Sequence, residues 1–438
     1  MDFPTFFIET LGCQMNEQDS LRMRHRLAQA GYRPASRPEE ADVLIVNTCS
    51  IRQKAEDKAY SVLGRYRLIK KSRPGCLIAV AGCLAQQKGE ALLERVPDLD
   101  LVFGPRRVIE VDRLLEECRQ RPGTLVAPSR SAGGPDELDC PGVTDETGLK
   151  AYVTIMEGCD NGCSYCIVPR VRGRKRSRPH RSIREEALQL VSRGVREITV
   201  LGQNVTAYRC PEDEHFAFPE LLNMLCRIDG LERLRFTTSH PKDTGPELIE
   251  CFGRLAPLCE HVHLPLQSGS DRMLRAMRRG YTLEEYLETI RALRDRVPEI
   301  AVTSDIIVGF PGEEEKDFED TLEAIRAIRF DNLFSFKFSP RPGTRASLLA
   351  RPLPESEKAR RLEILQDAQR AISLSKNRRL EQTEVEVLVE GRSRSGDQWT
   401  GRTRTNKIVN FAGPVGLFGS MRPVTIVHGG PNSLLGRL

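Results

Sequence analysis

The sequence predicts an α/β protein of three parts: an N-terminal doubly wound parallel sheet, a central partial (β/α)6 barrel and a small C-terminal antiparallel β-barrel. Three observations predict it. Residues 1–118 repeat an apolar run, a small turn carrying a cysteine, and a helix. Residues 149–377 repeat strand, polar loop and helix about six times. From residue 378 the texture changes to alternating strands separated by Gly-containing turns. At 438 residues the chain is too long for a single core.

In the first part, Phe6–Thr10 reads as a short strand, followed by Gly12-Cys13 and a helix from a cap at Asn16 to Ala30, ended by Gly31. Ala41–Asn47 reads as a buried parallel strand, followed by Thr48-Cys49-Ser50 and a helix through Lys58 and Leu63. Cys76–Ala81 is the next strand, with Gly82-Cys83 and a helix from about Lys88 behind it. Leu101–Gly104 is a fourth strand, before a charged helix through Leu114 and Leu115. Cys13, Cys49 and Cys83 each stand one or two residues past a strand. Loops at the C-terminal edge of one parallel sheet converge on one crevice, so these three are expected to hold an iron–sulfur cluster. Coincidence and zinc are the competing readings. Residues 119–148, rich in Pro, Gly, Ser and Asp, read as a linker.

In the second part the expected strands are Ala151–Met156, Glu197–Leu201, Arg233–Thr237, His261–Pro265, Ala301–Ile307 and Asn332–Phe338. The first loop carries Cys159, Cys163 and Cys166 as Cys-x3-Cys-x2-Cys. Three thiolates on one short loop can wrap a cubane cluster with one iron left open; zinc, whose structural sites want four ligands, and three ordinary thiols are the competing readings. The later loops place Gln203, Asn204, Ser239, Gln267, Ser268 and Gly309 at the barrel mouth as candidates to bind a cofactor; taken singly, each also suits an ordinary loop. His240 reads more readily as a satisfied surface histidine than as a base. A basic run that includes Arg172, Arg174 and Arg176 follows the cysteine loop and reads either as an RNA contact or as a solvated basic loop. Leu283–Leu293 is amphipathic.

A helix over Arg361–Arg379 closes the second part. Glu384–Glu390, Ile408–Phe411 and Val424–Val427 are the strand candidates of the third. Between them the segment Gly391–Lys407 carries Arg392, Arg394, Arg402, Arg404 and Lys407 beside the single tryptophan, Trp399. A small β-barrel with a basic face and an aromatic suits single-stranded nucleic acid; a cap without a ligand is the alternative. Composition adds little, with 39% hydrophobic and 29% charged residues and a net charge of +5. Thirteen cysteines without a secretory leader are read as reduced thiols in a cytoplasmic protein, and no apolar run is long enough to cross a membrane. Cys76, Cys118, Cys140, Cys210, Cys226, Cys251 and Cys259 have no defensible partner spacing and read as structural thiols.

The stretches TLGCQMN, NTCSIR, AGCLAQ, MEGCDNGCSYCIVP, RGRKRSRP, LGQNV, HLPLQSGSD, DIIVGFPGE and SPRPGT together resemble the methylthiotransferases of the radical S-adenosylmethionine (SAM) superfamily. The resemblance covers essentially the whole chain. It implies that Cys159, Cys163 and Cys166 hold the [4Fe-4S] cluster that binds SAM, that Cys13, Cys49 and Cys83 hold an auxiliary [4Fe-4S] cluster, and that residues 378–438 are a TRAM domain, which binds RNA. GRTRTNKIVNF and SPRPGTRAS are similar to the tRNA branch, which adds a methylthio group to C2 of N6-(dimethylallyl)adenosine beside the anticodon. The implied chemistry is reductive cleavage of SAM to a 5′-deoxyadenosyl radical, with sulfur from the auxiliary site and a methyl group from a second SAM. The implied partners are prenylated tRNA and an electron donor such as a flavodoxin or ferredoxin, acting on a monomer. Threonylcarbamoyladenosine in tRNA and an aspartate of ribosomal protein S12 are alternative substrates. A zinc-containing RNA-binding protein without catalysis is the alternative of another class.

Overall fold

The computed structural model describes residues 3–50, 53–121, 123–129, 138, 148–350, 352–394 and 396–438, so Cys140 lies outside it. In the first part, β1 (Thr5–Leu11), β2 (Arg33–Pro34), β3 (Val43–Thr48), β4 (Leu77–Gly82), β5 (Leu101–Phe103) and β6 (Leu125–Ala127) form one parallel sheet, ordered β2-β1-β3-β4-β5-β6. Helices α1 (Gln14–Gln29), α2 (Gln53–Ser72), α3 (Cys83–Lys88), α4 (Ala91–Arg95) and α5 (Val111–Gln120) cover it. All of β3 is buried. Val43 and Ile45 pack with Met23 and Leu27 of α1 and Leu114 of α5, while Leu44 and Val46 pack with Val62, Leu63 and Tyr66 of α2. Covering both faces explains the unbroken apolar run, and each such side chain contributes roughly 1.5–3 kcal/mol.

Three details differ from expectation. A sixth strand, β6, lies within the stretch read as linker; three residues are too short to show a pattern. Helix α1 is capped by Cys13, and Asn16 sits one turn inside it, tied to β3 through Asn47. Helix α3 begins at Cys83 itself, directly after the turn at Gly82.

The second part contains β7 (Lys150–Thr154), β8 (Met156–Glu157), β9 (Arg176–Ser177), β10 (Glu197–Leu201), β11 (Arg209–Cys210), β12 (Asp213–Ala217), β13 (Arg233–Phe236), β14 (His261–His263), β15 (Ala301–Val308) and β16 (Asn332–Lys337). Its helices are α6 (Val168–Val171), α7 (His180–Ser192), α8 (Phe218–Leu225), α9 (Pro246–Cys251), α10 (Asp271–Ala276), α11 (Leu283–Arg296), α12 (Glu315–Ile328) and α13 (Glu355–Arg378). The six strands of the partial barrel run parallel as β7-β10-β13 and β14-β15-β16, and the Leu234–Leu258 bridge joins the triplets. Val153, Val200, Leu234, Val262, Val302 and Ile306 pack beneath the helices in one large core. The alternate positions Thr199, Arg235, His263, Thr303 and Asp305 therefore line the polar lumen. Helix α11 shows why the amphipathic pattern folds: Thr282 and Glu285 form a reciprocal cap, and Tyr286, Ile290 and Leu293 are its buried stripe.

The third part is a closed barrel of β17 (Glu384–Arg392), β18 (Trp399–Thr403), β19 (Ile408–Ala412), β20 (Met421–Gly429) and β21 (Leu434–Arg437), ordered β17-β18-β19-β21-β20. It is not wholly antiparallel, because β19 and β21 pair in parallel. Val387, Trp399, Val409, Phe411 and Ile426 are among its core. This barrel seats on the N-terminal ends of the larger barrel's strands. Arg233 donates to the carbonyl of Arg402 at 2.6 Å, and Arg235 to those of Thr403 and Arg404, both at 2.8 Å. The opposite end, where the cysteine loop follows the strands, is the open mouth.

Candidate iron–sulfur and SAM site

The first cysteine crevice is built at the ends of β1, β3 and β4. Gly12 has room only for hydrogen, since a Cβ there would lie 2.7 Å from Cys49 Cβ. Gly82 has φ +90°, and its Cβ would lie 2.7 Å from the carbonyl of Thr48. The three loops therefore touch. A hydrogen bond from the Cys49 thiol brings Cys13 down to about 5, while burial pushes Cys83 up to about 11. Cys13 also donates to Asn16 Oδ1 at 3.3 Å. Among the described residues no trio of Cys, His, Asp or Glu closes around a single metal ion. The fit to a cluster rests instead on the donor chemistry: three soft thiols on touching loops, with the hydrogen bond from Cys49 favouring ionisation of Cys13.

The second crevice is made by one loop. Pairing of β8 with β9 draws residues 158–175 into a closed turn, and the N–H of Cys159 donates to the carbonyl of Gly173 at 3.2 Å. Ser164 anchors the loop to the end of α10, its N–H bonding the carbonyl of Met277 and its hydroxyl that of Ala276. The N–H of Asn161 points at Cys159 Sγ at 3.4 Å, and the N–H of Val168 at Cys166. Cys159, Cys163 and Cys166 are all half-buried. Burial pushes Cys166 up to about 12. Backbone N–H groups aimed at sulfur are the surroundings a thiolate-bound cluster needs.

The two crevices adjoin. Cys83 packs with Ile167 and Val171 in one apolar contact. Beside it lies a buried charge network. Arg172 holds Asp19 at 2.6 Å and stands 3.6 Å from Glu157, and Arg22 is 3.5 Å from the same Glu157 oxygen. Arg172 also reaches Cys83. Burial raises Asp19 to about 6. Arg172 is therefore not an RNA contact: at 3% exposure it joins the first part to the second.

The mouth residues separate into scaffold and open groups. Gln203 accepts from the N–H of Gly158 at 2.5 Å and so positions the residue before Cys159. Asn204 binds Asp243 at 2.6 Å. Ser268 faces Thr321 of α12, away from the mouth, and the N–H of Gly309 donates to Glu313. These bonds give Ser268 and Gly309 a part in the framework of the mouth. Gln267 holds a left-handed backbone at φ 76°, bridged to Ile306. The Ser239 hydroxyl is buried with no hydrogen-bond partner among the described residues, which keeps it a candidate. His240 is not at the surface: it is buried, Nδ1 accepts from the N–H of Lys242, and burial lowers its pKa to about 3.

The basic segment is likewise divided. Arg404 forks onto Glu260 at 2.7 and 2.8 Å, Lys407 binds Asp331 at 3.0 Å, and Arg402 lies 3.6 Å from Glu390. These three clamp or brace the small barrel, so they are not the expected RNA stripe. Arg392, stacked 4.0 Å over Trp399, and Arg394 are exposed. Arg174 is exposed beside the mouth, and Arg176 is mostly covered near Glu157. The pattern reading missed Arg279, whose guanidinium reaches Cys163 Sγ at 3.3 Å. It stands 116 positions from Cys163, so no local pattern pairs them.

Residues 153–325 match the radical SAM superfamily, residues 5–104 the uncharacterized protein family UPF0004, and residues 378–438 the TRAM domain. Solved structures share the fold at low identity. The radical SAM methyltransferase TsrM from Kitasatospora setae aligns at a TM-score of 0.56 and 14% identity, over 79% of this chain and 77% of its own. The cobalamin-dependent radical SAM enzyme OxsB aligns at 0.51 and 12%, over 84% and 56%. Fold and sequence thus define a radical SAM enzyme, a class that works with SAM and a [4Fe-4S] cluster. Among curated relatives, the tRNA-2-methylthio-N(6)-dimethylallyladenosine synthase of Geobacter metallireducens is 49% identical over 99% of this chain and 98% of its own. Those of Syntrophus aciditrophicus (46%, over 100% and 95%) and Moorella thermoacetica (47%, over 97% and 96%) are similar. The chain belongs to the family of tRNA-2-methylthio-N(6)-dimethylallyladenosine synthases.

Proposed function

We propose that this chain adds a methylthio group to C2 of N6-(dimethylallyl)adenosine beside the anticodon of tRNA. Cys159, Cys163 and Cys166 hold the SAM-binding [4Fe-4S] cluster, and Cys13, Cys49 and Cys83 the auxiliary one. The observation that carries this reading is the shared wall of the two crevices, Cys83 against Ile167 and Val171. A reaction that joins sulfur to carbon needs its sulfur site beside its carbon-activating site. When bound, SAM on the cluster supplies a carbon radical, which suits an aromatic C–H that is not acidic. The chain's own residues position and exclude. Ser164 and Gln203 fix the cysteine loop, the Arg172–Asp19–Glu157 network holds the two crevices in register, and the small barrel closes the base of the lumen. The base is read flipped out of its loop.

Phosphate contacts fall to the exposed Arg392, Arg394 and Arg174. We further read the chain as a cytoplasmic monomer served by a one-electron donor such as a flavodoxin or ferredoxin. The described cysteines are all free thiols, which supports a reducing compartment, and no helix among the described residues is long and apolar enough to cross a membrane.

Nucleoside mass spectrometry of tRNA from cells lacking this protein tests the substrate: methylthiolated dimethylallyladenosine should vanish and its unthiolated precursor accumulate. Persistence of the methylthiolated base, with loss of the methylthio group from ribosomal protein S12, sinks the reading. Charge reversal at Arg392 and Arg394 should weaken tRNA binding and lower its salt slope by about one per residue. Reversal at Arg404 should instead undock the small barrel, because it breaks the fork onto Glu260.

A further inference from the structure

Arg279 carries a charge that no carboxylate among the described residues neutralises. Its side chain is buried, with 5% exposure. Nε donates to Tyr281 Oη at 3.0 Å, and Nη2 to the carbonyl of Pro265 at 2.8 Å. Nη1 points at Tyr165 Oη and at Cys163 Sγ, both at 3.3 Å. Among the described residues no carboxylate pairs with it; its surroundings are two phenols, a carbonyl and a thiol. Arg172, the other arginine that reaches a cysteine of these crevices, differs in having Asp19 and Glu157 beside it. An uncompensated buried guanidinium is strongly destabilising unless an anion joins it. Only one neighbour can become an anion at neutral pH by binding metal, and that is the thiol of Cys163 with its two companions.

We infer that Arg279 is the built-in counter-charge of the cluster held by Cys159, Cys163 and Cys166, and that it raises the cluster's reduction potential through its contact with Cys163 Sγ. The inference rests on the assignment of those three cysteines as cluster ligands. Reduction adds one electron to the cluster, delivered by the external one-electron donor, and leaves the protein's covalent bonds unchanged. A fixed positive charge and an N–H···S bond both favour the more negative, reduced form. Arg279 is thus a positioning residue that acts through the cluster. Each of its three side-chain nitrogens already has a partner within the protein.

The test is a potentiometric titration of the full-length, anaerobically reconstituted protein, followed by electron paramagnetic resonance. The cluster in question is the one whose reduced signal changes on adding SAM. Iron and sulfide content and circular dichroism report whether each variant is folded and loaded. In Arg279→Gln the ratio of reduced to oxidised cluster at fixed potential should fall at least tenfold, equivalent to 59 mV for one electron. Arg279→Lys keeps the charge but loses the fork, and should fall between the two. A structural arginine would lower cluster content in both variants without moving the midpoint of the clusters that remain. If Arg279→Gln does not load, Arg279→Lys decides: a negative shift supports the inference, and an unchanged or more positive midpoint overturns it. A SAM-responsive signal that survives Cys159→Ala, Cys163→Ala and Cys166→Ala together would instead overturn the ligand assignment beneath it.

Discussion

The two cysteine triads of this chain reach similar chemistry by opposite routes. Cys13, Cys49 and Cys83 come from three strand ends of one parallel sheet, so their proximity depends on the whole N-terminal fold. Cys159, Cys163 and Cys166 lie on one closed loop, pinned by β8–β9 pairing and by Ser164. Each triad is touched by one buried arginine. Arg172, at the first, is balanced by Asp19 and Glu157, whereas Arg279, at the second, has only neutral partners. The first crevice is therefore electrostatically closed on its own, and the second keeps a positive charge for what binds there. A scaffold-built site fails when the sheet or its charge network fails; a loop-built site depends on its own residues and the few that pin them.

Removing each triad gives the largest effect. Cys159→Ala, Cys163→Ala and Cys166→Ala together should bring reductive SAM cleavage below detection. Cys13→Ala, Cys49→Ala and Cys83→Ala together should spare 5′-deoxyadenosine formation and stop sulfur insertion. Each triple variant should hold about four irons where the parent holds about eight, as two four-iron clusters require. A well-folded second variant with four irons and no SAM cleavage would erase the proposed division of labour.

Arg172→Gln ranks next. It leaves Asp19 buried without its close partner, while Glu157 keeps Arg22 at 3.5 Å, and breaking such a buried pair costs about 3–5 kcal/mol. The urea midpoint of the metal-free protein should drop accordingly. Arg174→Gln, at a side chain 92% exposed and 3.6 Å from Asp160, should change stability by under about 1 kcal/mol. Equal effects at both positions would mean that the network is not what joins the two parts.

How far the sequence discloses this arrangement follows from the same distinction. Apolar runs such as Ala41–Asn47 announce their strands, and the fixed offset of Cys13, Cys49 and Cys83 from those strands exposes their convergence. The six barrel strands are legible for the same reason. Short or edge strands are not: β6 has three residues and β2 two. In the small barrel, β18 (WTGRT) hides within a basic segment because its outward residues are polar, and β21 (LLGR) lies at the chain end. Side-chain partnership across long sequence distance is the larger gap. Arg404 looks like a phosphate contact until Glu260, 144 positions away, is seen beneath it. Arg279 likewise sits in MRRGYT with no hint of Cys163. Charge runs reveal composition, whereas burial decides whether a charge faces solvent, a carboxylate or a thiol.

Single glycines test the contrast most sharply, because no cysteine changes. Gly82 precedes Cys83 with φ +90°, and an added Cβ would meet Asn47 Oδ1 at 2.5 Å and the Thr48 carbonyl at 2.7 Å. The carbonyl cannot retreat without moving the end of β3, which carries Cys49. Strain of this kind is worth about 1–3 kcal/mol. Gly82→Ala should therefore lower stability by that amount and pull iron content toward four, with SAM cleavage retained. Gly162, one residue before Cys163, has nothing within 4 Å of its ideal Cβ and no left-handed backbone. Gly162→Ala should stay within about 0.5 kcal/mol of the parent, as substitutions away from special features do. It should keep both clusters. Iron and sulfide analysis with unfolding curves of the two proteins is sufficient. If Gly162→Ala loses iron while Gly82→Ala keeps all of it, the loop-built site is the more demanding of the two, and the contrast between scaffold and loop is reversed.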